Sequence, residues 1–179
     1  MIFTGHIGAG YLAAYVVLKN SGQSLTTLQS NTLLIAGTFI GILPDIDILF
    51  FLISKKTFKP KNLDHRHWVH APVVWLCTGL FIYFLASIHS DPFWKIFGLL
   101  LWLCSWTHFI CDSIYNSAGR GIAWMWPFSK KQLSLFHKQA VPEHSFDTWR
   151  ELFKMHVADP LTYLETVITF VGLYVFFFK

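Results

Sequence analysis

The chain has 179 residues, of which 54% are hydrophobic, 18% aromatic and only 13% charged, and its net charge is +4. A soluble domain carries about a quarter charged residues, so this composition favours a membrane-embedded protein. The basic residues form no patch among aromatic or polar surface residues, and we therefore expect no nucleic-acid partner. The length predicts a single domain that covers residues 1–179.

Five apolar stretches follow one another along the chain. They are Ile2–Leu18, Asn31–Ile53, Pro72–Ile88, Phe93–Cys111 and Leu161–Phe178. The first is of marginal length for a membrane crossing and leaves open whether it spans fully, and the second is long enough but interrupted by Pro44-Asp45-Ile46-Asp47. The alternating pattern of a membrane β-barrel is absent, so we predict an all-α fold, a multi-pass helical membrane bundle of about five apolar helices. Apolar residues at helical spacing predict a surface amphipathic helix over Ser145–Met155.

Lysines and arginines are concentrated in two of the four connections between these stretches. Residues 54–71 and 113–160 hold most of them, whereas residues 19–30 and 89–92 hold only Lys19. If all five stretches cross, the two basic connections lie on one side of the membrane, which the positive-inside rule makes the cytoplasmic side. The N-terminus would then lie inside and the C-terminus outside. The three cysteines occupy apolar runs, where we expect buried free thiols.

Histidines and aspartates interrupt the apolar stretches, where such side chains are costly and usually functional. In the topology above, all of them fall at the cytoplasmic ends of their stretches, although distant parts of the sequence supply them. Imidazole and carboxylate groups without thiolates suit one or more divalent metal ions, and zinc in particular for hydrolysis. We therefore predict metal ligands among His6, Asp45, Asp47, His65, His70, His108 and Asp112.

Two of the motifs place carboxylates either on the face of a predicted helix or directly after a predicted helix break. His108 and Asp112 are four residues apart and share one helix face, which suits a common cation or a simple hydrogen-bonded pair. Pro44 breaks a helix before Asp45 and Asp47. Their carboxylates would then either turn toward a polar cavity or cap an interfacial helix.

The other candidates are histidines and one arginine near the starts of apolar stretches. His65, His67 and His70 supply imidazoles within a short reach, although such a cluster is often only solvated. His6 is equally consistent with a ligand and with a hydrogen-bonded core histidine. Arg66 provides bidentate donors for a phosphate, or else marks the cytoplasmic side like the other basic residues.

At these positions the sequence resembles the YdjM-like family of bacterial inner-membrane, metal-dependent hydrolases. The matching pieces run in order along most of the chain. They are Thr4-Gly5-His6 with Gly8, Leu43-Pro44-Asp45-Ile46-Asp47, His65-Arg66 with His70, His108 with Asp112, Gly119 and Gly121, and Trp126-Pro127-Phe128-Ser129. The resemblance implies a location in the bacterial inner membrane and a metal site at these residues. The order of the histidines and aspartates is also similar, more loosely, to the metal sites of zinc-dependent phospholipase C and nucleases.

The expected activity is metal-dependent hydrolysis, with a phosphoester of a lipid or lipid-linked molecule as substrate because the polar site lies level with the headgroups. A metal-activated water would attack, Asp45 or Asp47 would orient it as the base, and Arg66 would bind the phosphate. Two other functions stay open. One is a membrane protein that handles or transports metal ions, which the apolar outer halves of the stretches disfavour. The other is a regulatory scaffold with a structural metal.

Overall fold

Five α-helices dominate the computed structural model, which describes residues 3–46, 68–114, 122–129, 131, 133, 135 and 161–179. The helices are α1 (Phe3–Asn20), α2 (Thr27–Ile40), α3 (Pro72–Ile88), α4 (Pro92–Ile114) and α5 (Leu161–Phe178). Short 3-10 turns at Leu43–Asp45 and Trp68–His70 follow α2 and precede α3. In this described part of the chain there is no β-strand, only one isolated antiparallel bridge. The predicted all-α class is confirmed there.

The second apolar stretch forms a shorter helix than its predicted bounds. α2 begins ahead of Asn31 because Thr26 and Gln29 form a capping box, in which each side chain accepts a hydrogen bond from the other residue's backbone N–H. α2 ends at Ile40, since the ring of Pro44 would clash with the carbonyl group four residues before it. The predicted break is therefore present, and its effect reaches back to Ile40.

α4 is the central helix of the bundle. It packs against α1, α2 and α3, while α5 packs against α1. With 23 residues and a mean hydropathy of 1.3, α4 is long and apolar enough to cross a membrane. At the helical rise it spans about 34 Å, against a hydrocarbon core of about 30 Å. The buried apolar core comprises Ala14, Leu33, Ile40, Ile96, Leu100, Leu101 and Cys104.

Among the described residues, α4 is the one helix that meets both the length and the hydropathy expected of a membrane span. The helix at Pro72–Ile88 and the segment Thr162–Phe178 are apolar but shorter. Five membrane crossings therefore stay a prediction. The predicted amphipathic helix at Ser145–Met155 lies outside the described residues.

Glycines let neighbouring helices approach closely. A Cβ atom placed on Gly79 of α3 would lie 2.6 Å from the carbonyl oxygen of Gly98 in α4. A Cβ atom on Gly8 of α1 would lie 3.0 Å from the carbonyl oxygen of Ile168 in α5. Contact of backbones through small residues is typical of helix pairs in membranes, where lipid gives no hydrophobic force between helices.

The outward faces of α3 and α5 carry large apolar side chains. Phe81 and Phe84 on α3 are exposed, as is Phe177 on α5. Cys77 lies one turn before Phe81 on the same face and is exposed, so the expectation that all three thiols are buried is wrong for this residue. Cys104, by contrast, is buried and free. Apolar outer faces of this kind suit contact with lipid or with another protein.

Candidate metal centre

Five side chains from distant parts of the sequence meet at one end of the bundle. His6 lies near the start of α1, Asp45 in the turn after α2, and His70 in the turn before α3. His108 and Asp112 lie in the last two turns of α4, on one face. All five residues are buried, and the most exposed of them, Asp45, has an exposed fraction of only 6%.

Four of these residues have the spacing of ligands around one ion. Asp45 Oδ1 lies 3.0 Å from His70 Nε2 and 3.6 Å from His108 Nε2. Asp112 Oδ2 lies 3.5 Å from His108 Nε2. Two ligand atoms of a tetrahedral zinc ion are about 3.3 Å apart, given bond lengths of roughly 2.0–2.1 Å. The four ligand atoms all lie within 4.8 Å of one another, so Asp45, His70, His108 and Asp112 could hold a metal ion.

His6 adds a third imidazole beside this group. Its Nε2 atom lies 3.3 Å from Asp112 Oδ1 and 3.8 Å from Asp45 Oδ2. Its ring stacks on the ring of His108, with 3.8 Å between the ring centroids and 20° between the planes. His6 is therefore in contact with the same two carboxylates and extends the group to five residues.

The polar atoms of this pocket fit a cation. Burying two carboxylates is costly unless positive charge and hydrogen bonds compensate for the lost water. Among the residues that the structure describes, Nε2 of His6 and Nε2 of His108 are buried without a hydrogen-bond partner. Both atoms nevertheless face carboxylate oxygens. Divalent metal bound between these nitrogens and the carboxylate oxygens would give each nitrogen a partner and would offset the negative charge.

The backbone carbonyl of Gly41 sets the protonation of His108. His108 Nδ1 lies 2.9 Å from this oxygen, which can only accept, so Nδ1 carries the proton and Nε2 keeps its lone pair for a ligand bond. The carbonyl is available because the last carbonyl groups of a helix lack partners within it. A Cβ atom on Gly41 would lie 2.8 Å from Gly10 Cα and from the carbonyl oxygen of His6, so only glycine fits.

Two tryptophans hold the turn that presents His70. Trp75 Nε1 donates a hydrogen bond of 2.7 Å to the carbonyl oxygen of Val69, the neighbour of His70. Trp106 Nε1 donates one of 3.2 Å to the carbonyl oxygen of Pro72, which ties the start of α3 to α4. Neither tryptophan was among the predicted site residues, because nothing in their spacing shows which backbone group each side chain reaches.

Three predicted site residues, Asp47, His65 and Arg66, lie outside the described residues, and their roles stay predictions. Glu165 in α5 was not among the predicted site residues, although it is buried with an exposed fraction of 3%. A signal for it was present, because it is the single charged residue of the apolar stretch Leu161–Phe178.

The Trp-Pro-Phe-Ser motif at residues 126–129 belongs to a short segment near the end of α4. Trp124, just before the motif, donates a hydrogen bond of 2.9 Å from Nε1 to the hydroxyl oxygen of Ser113. Its ring also packs edge-on against Trp106. Since Ser113 directly follows Asp112, this segment packs beside the metal centre and supports the end of α4.

The motifs and the geometry can be compared with known proteins. No curated protein and no solved structure matches the chain significantly. The YdjM inner membrane protein family does match, over residues 1–179, and this match confirms the resemblance that the motifs predicted. It also supports a location in the inner membrane. The chain therefore belongs to the YdjM inner membrane protein family.

Proposed function

We propose that the protein is a membrane-integral, metal-dependent hydrolase of the bacterial inner membrane, which cleaves a phosphoester in a lipid or lipid-linked substrate. The observation that carries this proposal is the buried group of Asp45, His70, His108 and Asp112, whose ligand atoms lie within 4.8 Å of one another. Carboxylates and imidazoles in this combination occur in hydrolytic metal sites. The looser likeness to zinc-dependent phospholipase C supports the same class of substrate.

Zinc is the ion that we propose, because the donors are nitrogen and oxygen and none is a thiolate. A zinc ion bound there supplies Lewis acidity, which activates a water molecule and polarises a phosphoryl oxygen. Asp45 would orient that water and accept its proton if its oxygens do not bind the metal; if they do, Asp47, two residues further on, would take that role. Arg66 would bind the substrate phosphate through its two parallel N–H groups.

A groove between α1, α2 and α5 supports a substrate with an acyl chain. Its volume is about 760 Å³, and most of the surrounding side chains are apolar. Small-molecule sites commonly have volumes of roughly 300–1,000 Å³. The groove includes Ile7 and Gly8, which directly follow His6 in the sequence, and extends to Tyr15 and Asn31. An acyl chain in this groove would lie along the helices, with the headgroup end of the lipid near the metal centre.

We propose that the metal centre lies at the cytoplasmic face of a multi-pass bundle. The close glycine contacts and the apolar outer faces of α3 and α5 support a membrane-embedded bundle. The two basic connections adjoin the centre in the sequence, since one ends just after His70 and the other begins just after Asp112. Their positive charge favours the cytoplasmic side.

Hydrolysis of lipid phosphoesters by the purified full-length protein tests this proposal. We expect release of phosphate or diacylglycerol from a phospholipid panel, loss of release after EDTA treatment, and recovery with Zn²⁺. Asp45→Asn should lower the rate at least 100-fold, whereas Asp91→Asn should leave it unchanged. Asp91 is a matched control because it only accepts hydrogen bonds at the opposite end of α4, where asparagine caps equally well. Bound metal without hydrolysis of any substrate in the panel would contradict the proposal.

A structural metal is the second candidate, because four buried ligands from separate elements could complete a closed site. In that case EDTA would lower the unfolding temperature, yet no phosphoester would be cleaved at any metal loading. A regulatory scaffold with a metal clamp would then be the better description. Measuring unfolding and hydrolysis on the same metal-stripped sample separates the two functions.

A further inference from the structure

Both carboxylates of the metal centre divide their oxygens between two histidines. Asp112 places Oδ1 3.3 Å from His6 Nε2 and Oδ2 3.5 Å from His108 Nε2. Asp45 shows the same division, with Oδ2 3.8 Å from His6 Nε2 and Oδ1 3.6 Å from His108 Nε2. A carboxylate that bound one ion together with both histidines would direct its bound oxygens at that one ion. A bridging carboxylate instead directs one oxygen at each of two ions.

The stacking of the two imidazoles points in the same direction. The lone pair of an imidazole nitrogen lies in the plane of the ring, so a bound ion lies close to that plane. The rings of His6 and His108 are 3.8 Å apart and tilted by only 20°. Two such planes do not meet within one bond length of either ring. A single ion could therefore bond well to His6 or to His108, but not to both.

We propose that this centre binds two divalent metal ions, with Asp45 and Asp112 as the bridging ligands. The first ion is held by His70, His108 and one oxygen from each carboxylate. The second ion is held by His6 and the other two carboxylate oxygens. His6 is suited to this role because it is buried and neither of its ring nitrogens has a hydrogen-bond partner among the described residues. This inference rests on the metal site of the proposed function and adds a second position to it.

The two positions differ in the number of ligands that the described residues supply. The first has four, which is the complete set of a tetrahedral zinc ion. The second has three, so the position beside His6 retains room for a water molecule or an oxygen of the substrate. Ile7 and Gly8, which line the apolar groove, directly follow His6 in the sequence. Paired metal positions occur in phosphatases and nucleases, which fits the phosphoester substrate of the proposed function.

Metal stoichiometry of the full-length protein in detergent tests the inference. The protein is stripped with EDTA and titrated with Zn²⁺ against a chromophoric chelator, and bound metal is then measured by elemental analysis. We expect two equivalents per chain in the wild type and one in His6→Ala. His89→Ala is the matched control, because this exposed histidine ends α3 at the other end of the bundle. It should retain two equivalents.

A measurement on the wild type keeps the test valid if His6→Ala does not fold. Two Mn²⁺ ions bridged by carboxylates are magnetically coupled, so the six-line spectrum of isolated Mn²⁺ should give way to a coupled spectrum as the second equivalent binds. One equivalent of metal in the wild type, or two in His6→Ala, would overturn the inference. Two equivalents without hydrolysis would overturn only the proposed function. One equivalent with EDTA-sensitive hydrolysis would overturn only the second metal position.

Discussion

Replacing Asp112 by asparagine should abolish most of the stabilisation that the protein gains from zinc. The substitution keeps the shape of the side chain but removes the negative charge and one oxygen. That side chain lies 3.3 Å from His6 Nε2 and 3.5 Å from His108 Nε2. The loss therefore affects metal binding to either histidine. Partners that only orient a ligand are worth about 10–100-fold in metal affinity, so a direct ligand should cost at least about 100-fold.

This loss converts into an expected shift in stability. At a zinc concentration of 100 times the wild-type Kd, binding adds about 2.7 kcal/mol to the free energy of unfolding. If the Kd rises by about 100-fold, the same zinc concentration adds only about 0.4 kcal/mol. At about 3 °C per kcal/mol for a chain of this size, zinc should raise Tm by about 8 °C in the wild type and about 1 °C in Asp112→Asn.

Thermal unfolding, followed by tryptophan fluorescence with and without zinc, measures both shifts on detergent-purified protein. Asp91→Asn removes the same charge at the opposite end of α4, where Asp91 caps the helix, and should show the wild-type shift. Elemental analysis of both variants gives an independent measure of the retained metal. If Asp112→Asn gains as much from zinc as the wild type does, Asp112 is not a ligand and the proposed centre is wrong.

Three further substitutions test how the centre is supported. Gly41→Ala should destabilise the protein by about 1–3 kcal/mol, because the new methyl group meets backbone atoms, and should weaken zinc binding in a chelator competition. Trp75→Phe removes the hydrogen bond to Val69 and should lower zinc affinity about 10-fold by the same competition assay, with unchanged affinity as the contrary result. Thr26→Ala should cost about 1 kcal/mol in thermal unfolding through the lost cap of α2, without changing zinc affinity.

The helices, and the fact that the site residues lie at one end of the bundle, could be predicted from the sequence. Apolar stretches bounded by polar connections give the helices, and His108 and Asp112 share a face because helical periodicity requires it. The position of His6 beside α4 depends on the close approach of Gly10 to Gly41, which local sequence does not encode. The spacing of the motifs thus indicated which residues share one end of the bundle, but not which atoms face each other.

The hydrogen bond between His108 and the Gly41 carbonyl fixes the tautomer of the imidazole as well as the position of the ring. A histidine in water exchanges its proton between both nitrogens and must lose it from the metal-binding nitrogen before an ion can attach. In this protein the fold has already made that choice for the neutral ring of His108, because the Gly41 carbonyl holds the proton on Nδ1. The neutral ring therefore meets an ion with its Nε2 lone pair already directed at the centre, and binding needs no exchange of the proton between the two nitrogens.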